Sequence, residues 1–129
     1  GNIDKNQIKQ VTPSLLGKDI KISGKIITEG ELQIDGVIQG EIEAHKLVIE
    51  QSAKIIGSVS SEDLVIKGRI IGPVYGKKVR FGATARVEGD TIHETIAIED
   101  GAYYEGSIKR HGSLNSVSNL AKDRAVTSH

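Results

Sequence analysis

The sequence predicts an all-β fold, a parallel β-helix of about six coils, where a coil is one turn of the helix. Three observations predict it. An aliphatic pair recurs through the middle of the chain at steps of 15 or 17 residues, and a glycine follows each pair at a similar place. Ile and Val supply 29 of the 36 Ile, Val and Leu residues. Stiff β-branched side chains favour extended strands, and a short fixed repeat is typical of a solenoid.

The aliphatic pairs mark the first strand of each coil. They are Leu32-x-Ile34, Leu47-x-Ile49, Leu64-x-Ile66, Val79-x-Phe81 and Ile96-x-Ile98. Each pair is followed by a triplet in which glycine separates two mostly apolar residues, namely Ile38-Gly40-Ile42, Ile55-Gly57-Val59, Ile70-Gly72-Val74, Val87-Gly89-Thr91 and Tyr104-Gly106-Ile108. Alternation at two residues predicts strands with one buried face. We expect the glycine where the chain bends or approaches another backbone closely.

The length of a coil predicts three short strands in it. About 16 residues at ~3.3 Å each give a path of roughly 53 Å, enough to circle a narrow core. The alternation of 15 and 17 residues arises in one turn, which is short at 35–37 and 67–69 and two residues longer at 50–54, 82–86 and 99–103. Residues 20–31 form a degenerate earlier coil that matches the first half of the repeat.

The repeat divides the chain into three parts. Residues 1–18 are predicted to be a mostly disordered N-terminal tail, residues 19–109 the β-helix domain, and residues 110–129 a mostly disordered C-terminal tail. Both tails are polar with irregularly spaced aliphatic residues. A short helix over residues 114–125 is an alternative for part of the second tail.

Composition excludes several classes of function. The chain has no Cys, so it has no disulfide and no thiolate metal site. Its 17 Lys and Arg balance 17 Asp and Glu, which gives no electrostatic case for nucleic acid. No apolar run reaches the ~18 residues of a membrane-spanning helix. The composition is typical of a cytoplasmic protein.

No catalytic, cofactor or metal site is predicted. The four histidines, His45, His93, His111 and His129, have no second histidine at a ligand spacing, so we expect them at the surface. The segment 72–78 is similar to a phosphate-binding loop but has one residue too few between its glycines, and Lys78 stands where Ser or Thr must meet magnesium. It predicts a basic turn and no nucleotide site.

The two ends of the solenoid are the predicted functional sites. Each end exposes unpaired strand backbone and a slice of apolar core, on which another copy of the chain can add. The expected contact residues are Ile96, Ile98, Tyr103, Tyr104 and Ile108 in the C-terminal coil, and Ile20, Ile22 and Ile26 in the N-terminal coil. A tyrosine suits an interface because its hydroxyl needs a partner. The alternative is that a tail folds back and covers an end.

Two stretches of the sequence resemble the bactofilin family. They are Thr12-Pro13-Ser14-Leu15-Leu16-Gly17 with the following Ile22-Ser23-Gly24 and Leu32-x-Ile34-Asp35-Gly36-x-Ile38-x-Gly40, and the closing run Ile96 to Gly106. The resemblance covers about residues 12–109. It implies a right-handed, triangular β-helix that polymerises into filaments without nucleotide. The aromatic residue at the family's polymer contact, usually Phe, falls on Tyr104.

The resemblance also implies a cellular role. Family members act as bacterial cytoskeletal scaffolds at the inner face of the cytoplasmic membrane and help to place cell-wall-modifying or envelope proteins, which are the partners expected besides the chain itself. Peripheral membrane contact would be made through the N-terminal tail. Joining of like ends, which gives a filament without overall polarity, is also implied.

Two other functions are also compatible with the sequence. One is an acyltransferase of the hexapeptide-repeat kind, which prefers coils near 18 residues and needs a catalytic histidine at a subunit groove; only His45 and His93 lie within the coils. The other is a monomeric binding module that presents a ligand on one flat outer face. Sedimentation distinguishes the three functions. The scaffold should form heavy polymers, the transferase a stable trimer and the binding module a monomer.

Overall fold

A computed structural model describes residues 14–111, and all the regular structure in that range is β-strand. The strands are β1 (Ser14–Leu16), β2 (Lys21–Ile27), β3 (Glu31–Ile34), β4 (Val37–Ile49), β5 (Lys54–Ile66), β6 (Arg69–Ile71), β7 (Val74–Phe81), β8 (Arg86–Glu88), β9 (Thr91–Ile98), β10 (Tyr103–Glu105) and β11 (Ile108–Arg110). Every pairing between them is parallel. The predicted all-β parallel solenoid of about six coils is confirmed.

The pairing register divides the solenoid into three faces. On the first face β1 pairs with β3, followed by the C-terminal parts of β4, β5, β7 and β9. The second face runs from the start of β2 through β4, β5, β6 and β8 to β10. The third face runs from the end of β2 through β4, β5, β7 and β9 to β11. Each coil therefore contributes one segment to every face.

Equivalent residues of successive coils stack in ladders inside the solenoid. On the first face the ladder runs Leu16, Ile34, Ile49, Ile66, Phe81 and Ile98; on the second it runs Ile22, Ile38, Ile55, Ile70, Val87 and Tyr104; on the third it runs Ile26, Ile42, Val59, Val74, Thr91 and Ile108. The central members of all three ladders are fully buried. The core is thus a narrow column of branched side chains.

The corner between the first and second faces explains the two repeat lengths. In the longer turns a backbone hydrogen bond closes the loop, as when Ala53 N donates to Glu50 O at 2.9 Å and Ala85 N to Gly82 O at 3.0 Å. In the shorter turns Gly36 and Gly68 occupy the corner instead. A Cβ on Gly68 would lie 2.1 Å from the Glu50 carbonyl oxygen, so no other residue fits there without a shift.

The corner between the second and third faces is built by one glycine per coil. Gly24, Gly40, Gly57, Gly72, Gly89 and Gly106 all have φ between 131° and 143°. A Cβ on Gly57 would lie 1.7 Å from the carbonyl oxygen of Gly40 in the coil below. Both the positive φ and this close backbone approach require glycine. The two reasons expected for the recurring glycine therefore hold at the same position.

Paired strands extend beyond the predicted domain boundaries. Strand β1 lies inside the segment predicted to be a tail, and it supplies the first face of the earliest coil through its pairing with β3. At the other end Arg110 of β11 pairs with His93. The remaining tail residues, 1–13 and 112–129, with the alternative helix over residues 114–125, lie outside the described residues.

Removing a ladder side chain should destabilise the solenoid far more than removing its exposed neighbour. Ile55 is fully buried, whereas the next residue, Ile56, is 37% exposed on the outer surface. We expect Ile55→Ala to lower the free energy of unfolding by about 2–5 kcal/mol because it leaves a cavity. Urea denaturation at one fixed protein concentration measures this, with Ile56→Ala as the matched control. Equal losses for the two variants would contradict the assigned inward and outward faces.

A methyl group in the glycine column should be tolerated even less. We expect Gly57→Ala to abolish the cooperative unfolding transition seen by circular dichroism, since the new Cβ meets the Gly40 carbonyl and φ is +139°. Gly17→Ala is the control, because a Cβ at Gly17 has no heavy atom within 4 Å. A Gly57→Ala protein as stable as the Gly17→Ala protein would show that the column does not constrain the fold.

Candidate functional site: the two ends of the solenoid

The C-terminal end of the solenoid consists of the end of β9, then β10 and β11. In the described part of the chain, β10 pairs only with β8, and β11 pairs only with β9. One side of each strand therefore presents backbone N–H and C=O groups with no strand beside them. Such an edge is a template for the addition of another chain.

The apolar ladders come to the surface at this end. Ile98 is 44% exposed and Tyr104 is 42% exposed, while Ile96 and Ile108 are half-buried. The residues one coil below in the first two ladders, Phe81 and Val87, are fully buried. The C-terminal coil thus leaves the cross-section of the core open.

Tyr104 is held in place by an aromatic contact within the core. Its ring meets that of Phe81 edge to face, with the centroids 6.1 Å apart and the planes at 83°. This geometry is the favourable one for two aromatic rings. The Tyr104 ring consequently forms a defined part of the open end.

Tyr103 points the other way. Its register partner is Arg86 on the outer surface, and its hydroxyl donates a hydrogen bond to the carboxylate of Glu105. That hydrogen bond, with smaller effects of desolvation and the negative charges of Glu105 and Glu88, raises the pKa of the Tyr103 phenol. The structure therefore separates the Tyr103-Tyr104 pair, with Tyr104 on the end and Tyr103 on the side wall.

The N-terminal end differs from the C-terminal end in its exposure. Ile26 is 1% exposed and Leu16 is 7% exposed, although both belong to the first coil. Ile22 and Ile20 are half-buried. Ile20 stands at the corner that Gly36 and Ala53 occupy in the following coils, and its carbonyl accepts a hydrogen bond from Val37 N at 2.9 Å. Among the predicted N-terminal contact residues, only Ile20 and Ile22 offer surface in this conformation.

Two histidines within the coils have opposite environments. His45 is exposed, with Nδ1 2.9 Å from Glu62 Oε2. The prediction that the histidines lie at the surface is wrong for His93, which is 6% exposed and faces inward on β9. The inward position of His93 can be recognised from the alternation along β9, because His93 follows the inward-facing Thr91 by two residues.

The described residues offer little support for a catalytic, nucleotide or metal site. No group of three or more His, Cys, Asp or Glu is placed to hold a metal ion within residues 14–111. A groove of about 320 Å³ on the first face is lined by Asp63, Lys78, Arg80 and their neighbours, and no histidine lines it. The segment 72–78 is a glycine corner that runs into β7. Over the same range, no helix is long and apolar enough to cross a membrane.

Comparison with known proteins adds independent information. A family model described as "Bactofilin: Polymer-forming cytoskeletal" matches residues 14–109, which is the extent of the paired strands almost to the residue. Among curated proteins, the chain is 30% identical over 97 residues to bactofilin BacO of Myxococcus xanthus (strain DK1622), covering 74% of this chain and 77% of that protein. It is 25% identical over 100 residues to bactofilin BacP of the same organism, covering 76% of this chain and 42% of BacP. No solved structure matches significantly.

The family match and the architecture agree. The matched residues are those that form the six-coil parallel solenoid, and the family description, polymer-forming, fits a solenoid whose C-terminal end leaves strands and core open. The chain belongs to the bactofilin family of polymer-forming cytoskeletal proteins.

Proposed function

We propose that the chain is a structural protein, and not an enzyme, that polymerises end to end through its terminal coils without nucleotide. The observation that carries the proposal is the open cross-section at the C-terminal end, where Ile98 and Tyr104 are more than 40% exposed on top of a fully buried core. A second copy placed on this end would remove apolar surface from water and pair the strand edges at once. The proposed contact residues are Ile96, Ile98, Tyr104 and Ile108; Tyr103, on the side wall, is left out of the proposed contact.

Charge at the rim of the C-terminal end supports joining of like ends. Glu99, Asp100 and Glu105 lie around β10, whereas Lys109 and Arg110 lie on β11. A twofold axis that exchanges the second and third faces would set the acidic side of one copy over the basic side of the other. Such an isologous contact is self-complementary. It gives a filament without overall polarity if the N-terminal ends also join to each other.

The N-terminal joint would use Ile20 and Ile22, with Ile26 contributing only after a rearrangement that uncovers it. Ile26 is only 1% exposed in the present conformation, so the N-terminal end is the less accessible of the two. We therefore propose that assembly begins with C-terminal joints, which need no rearrangement.

The cellular part of the proposal depends on family membership. Such filaments would lie in the cytoplasm at the inner face of the membrane and organise cell-wall-modifying or envelope proteins that set cell shape. Peripheral membrane contact is assigned to the N-terminal tail, in residues preceding the described range.

Charge placed at Tyr104 should block filaments without unfolding the protein. Tyr104→Arg would bury an unpaired guanidinium in an apolar contact, which is strongly unfavourable. We expect it to leave the circular dichroism spectrum unchanged and to abolish long filaments in electron micrographs and pelleting assays, run without ATP or GTP.

Tyr103→Arg is the matched control, since it places the same charge one residue away on the side wall. It should keep the filaments. Long filaments of folded Tyr104→Arg protein would show that the C-terminal end is not the contact. A strict requirement of the unmodified protein for ATP or GTP would contradict nucleotide-free assembly.

A further inference from the structure

The interior of the solenoid changes character in its last two coils. Within residues 14–111, three buried side-chain atoms have no hydrogen-bond partner, namely Thr91 Oγ1, His93 Nδ1 and His111 Nδ1. Two of them belong to inward-facing residues of β9, and the third directly follows β11. Buried polar atoms are nearly always hydrogen-bonded in folded proteins. Three such atoms beside the C-terminal end of the solenoid therefore need a physical explanation.

His93 occupies a position that is small or apolar in most other coils. The residues in register with it toward the N-terminus are Gly76, Ser61 and Ala44. On its other side it is in register with Arg110, the last residue of β11. The backbone of His93 also holds the chain end, because its carbonyl accepts a hydrogen bond from His111 N at 2.6 Å. The imidazole thus lies directly beneath the terminal strand.

The charged groups around His93 disfavour its protonation. Arg110 faces it from β11, with His111 next along the chain. On β7 the facing residue, Gly76, has no charge, and Lys77 and Lys78 follow it. On β9 itself, Glu94 points outward. In the last two coils the first and second faces contribute only uncharged inward side chains, with the Tyr104 phenol as their one ionisable group.

Burial has the largest effect on the imidazole. It lowers the pKa of His93 from its ordinary value; the nearby Glu94 backbone opposes this shift, and the charge of Arg110 adds to it. A strand that opens exposes the imidazole to water, where it has its ordinary pKa. As the pH falls below about 6.5, the open form therefore binds the proton first, and the closed form loses stability until the pH passes its lowered pKa.

We propose that His93 is a pH-sensitive latch for the terminal coil, neutral while β11 is closed over it and favouring release of β11 when it is protonated. Strand β11 is a short element to release, since it has three residues and, in the described chain, pairs only with β9, the strand that carries His93. Its release removes Ile108 and the basic side of the C-terminal end. Filaments should consequently disassemble at mildly acidic pH, a consequence that rests on the proposed function, whereas the opening itself does not.

Hydrogen–deuterium exchange of the full chain, read by mass spectrometry, tests the latch. At about pH 7.5 and about pH 5, the unmodified protein is compared with His93→Gln, which keeps a polar side chain but cannot take up a proton. Comparison at equal pH removes the intrinsic dependence of exchange on pH. Peptides covering 103–111 should exchange faster in the unmodified protein at the lower pH alone, by up to about thirtyfold at about pH 5, which is the limit set by protonation of the open form.

Two further histidine variants identify the titrating group. His45→Gln changes an exposed histidine, and His111→Gln changes a half-buried one whose Nδ1 also has no partner; both should retain the acid-induced exchange. Peptides covering 47–56 in the central coils should show no such change. The proposal is overturned if His93→Gln retains the acid-induced exchange or if His111→Gln removes it. Should His93→Gln fail to fold, His93→Leu, which has a similar volume and no charge, takes its place with the same expected result.

The exchange measurement and the filament assay separate the two proposals. If acid opens β11 but filaments persist, the latch stands and the C-terminal end is not the contact. If His93→Gln filaments still disassemble at about pH 5 while β11 stays closed, acid acts elsewhere and the latch does not control assembly.

Discussion

The whole architecture depends on the close approach of one backbone to the next at the glycine column. With a Cβ on Gly57 only 1.7 Å from the Gly40 carbonyl, successive coils can stack at this corner only if the residue has no side chain and adopts positive φ. The corner turns the chain from the second face to the third once in every coil. Parallel pairing, the three faces and the stacked ladders all follow from its repetition at the same register.

The narrow core has consequences for both stability and assembly. A coil of 15 or 17 residues encloses room for branched aliphatic side chains in ladders but for few aromatic rings, and Phe81 is the one fully buried ring in the described chain. Each coil of a solenoid is stabilised by the coils on either side of it. The last coil has such a neighbour on one side only. The exposure of Ile98 and Tyr104 follows directly from the repeat ending there. The same ending brings His93 within one strand of solvent.

Much of the fold could be predicted from the sequence, because the repeat consists of residue types that each have one structural use in it. Glycine at fixed intervals and alternating aliphatic residues predict the strands, the corners and the different turn lengths correctly. The individual exposure of end residues could not be predicted in this way. Ile26 has the same pattern as Ile108, yet it is almost fully buried, and Tyr103 and Tyr104 differ in direction by a single position in the alternation. The spacing between the histidines does not indicate that His93 is buried, whereas its position in the alternation of β9 does.

In the proposed filament the coils continue across the joint, so that the filament axis is the solenoid axis. Fibre diffraction from aligned filaments tests this most directly, because strands of the solenoid run across its axis. End-to-end stacking of solenoids predicts a strong reflection at ~4.8 Å along the filament axis, with an axial repeat near ~29 Å for six coils or a multiple of it. A reflection at ~4.8 Å perpendicular to the filament axis would mean that the solenoids lie across the filament, and would contradict end-to-end assembly.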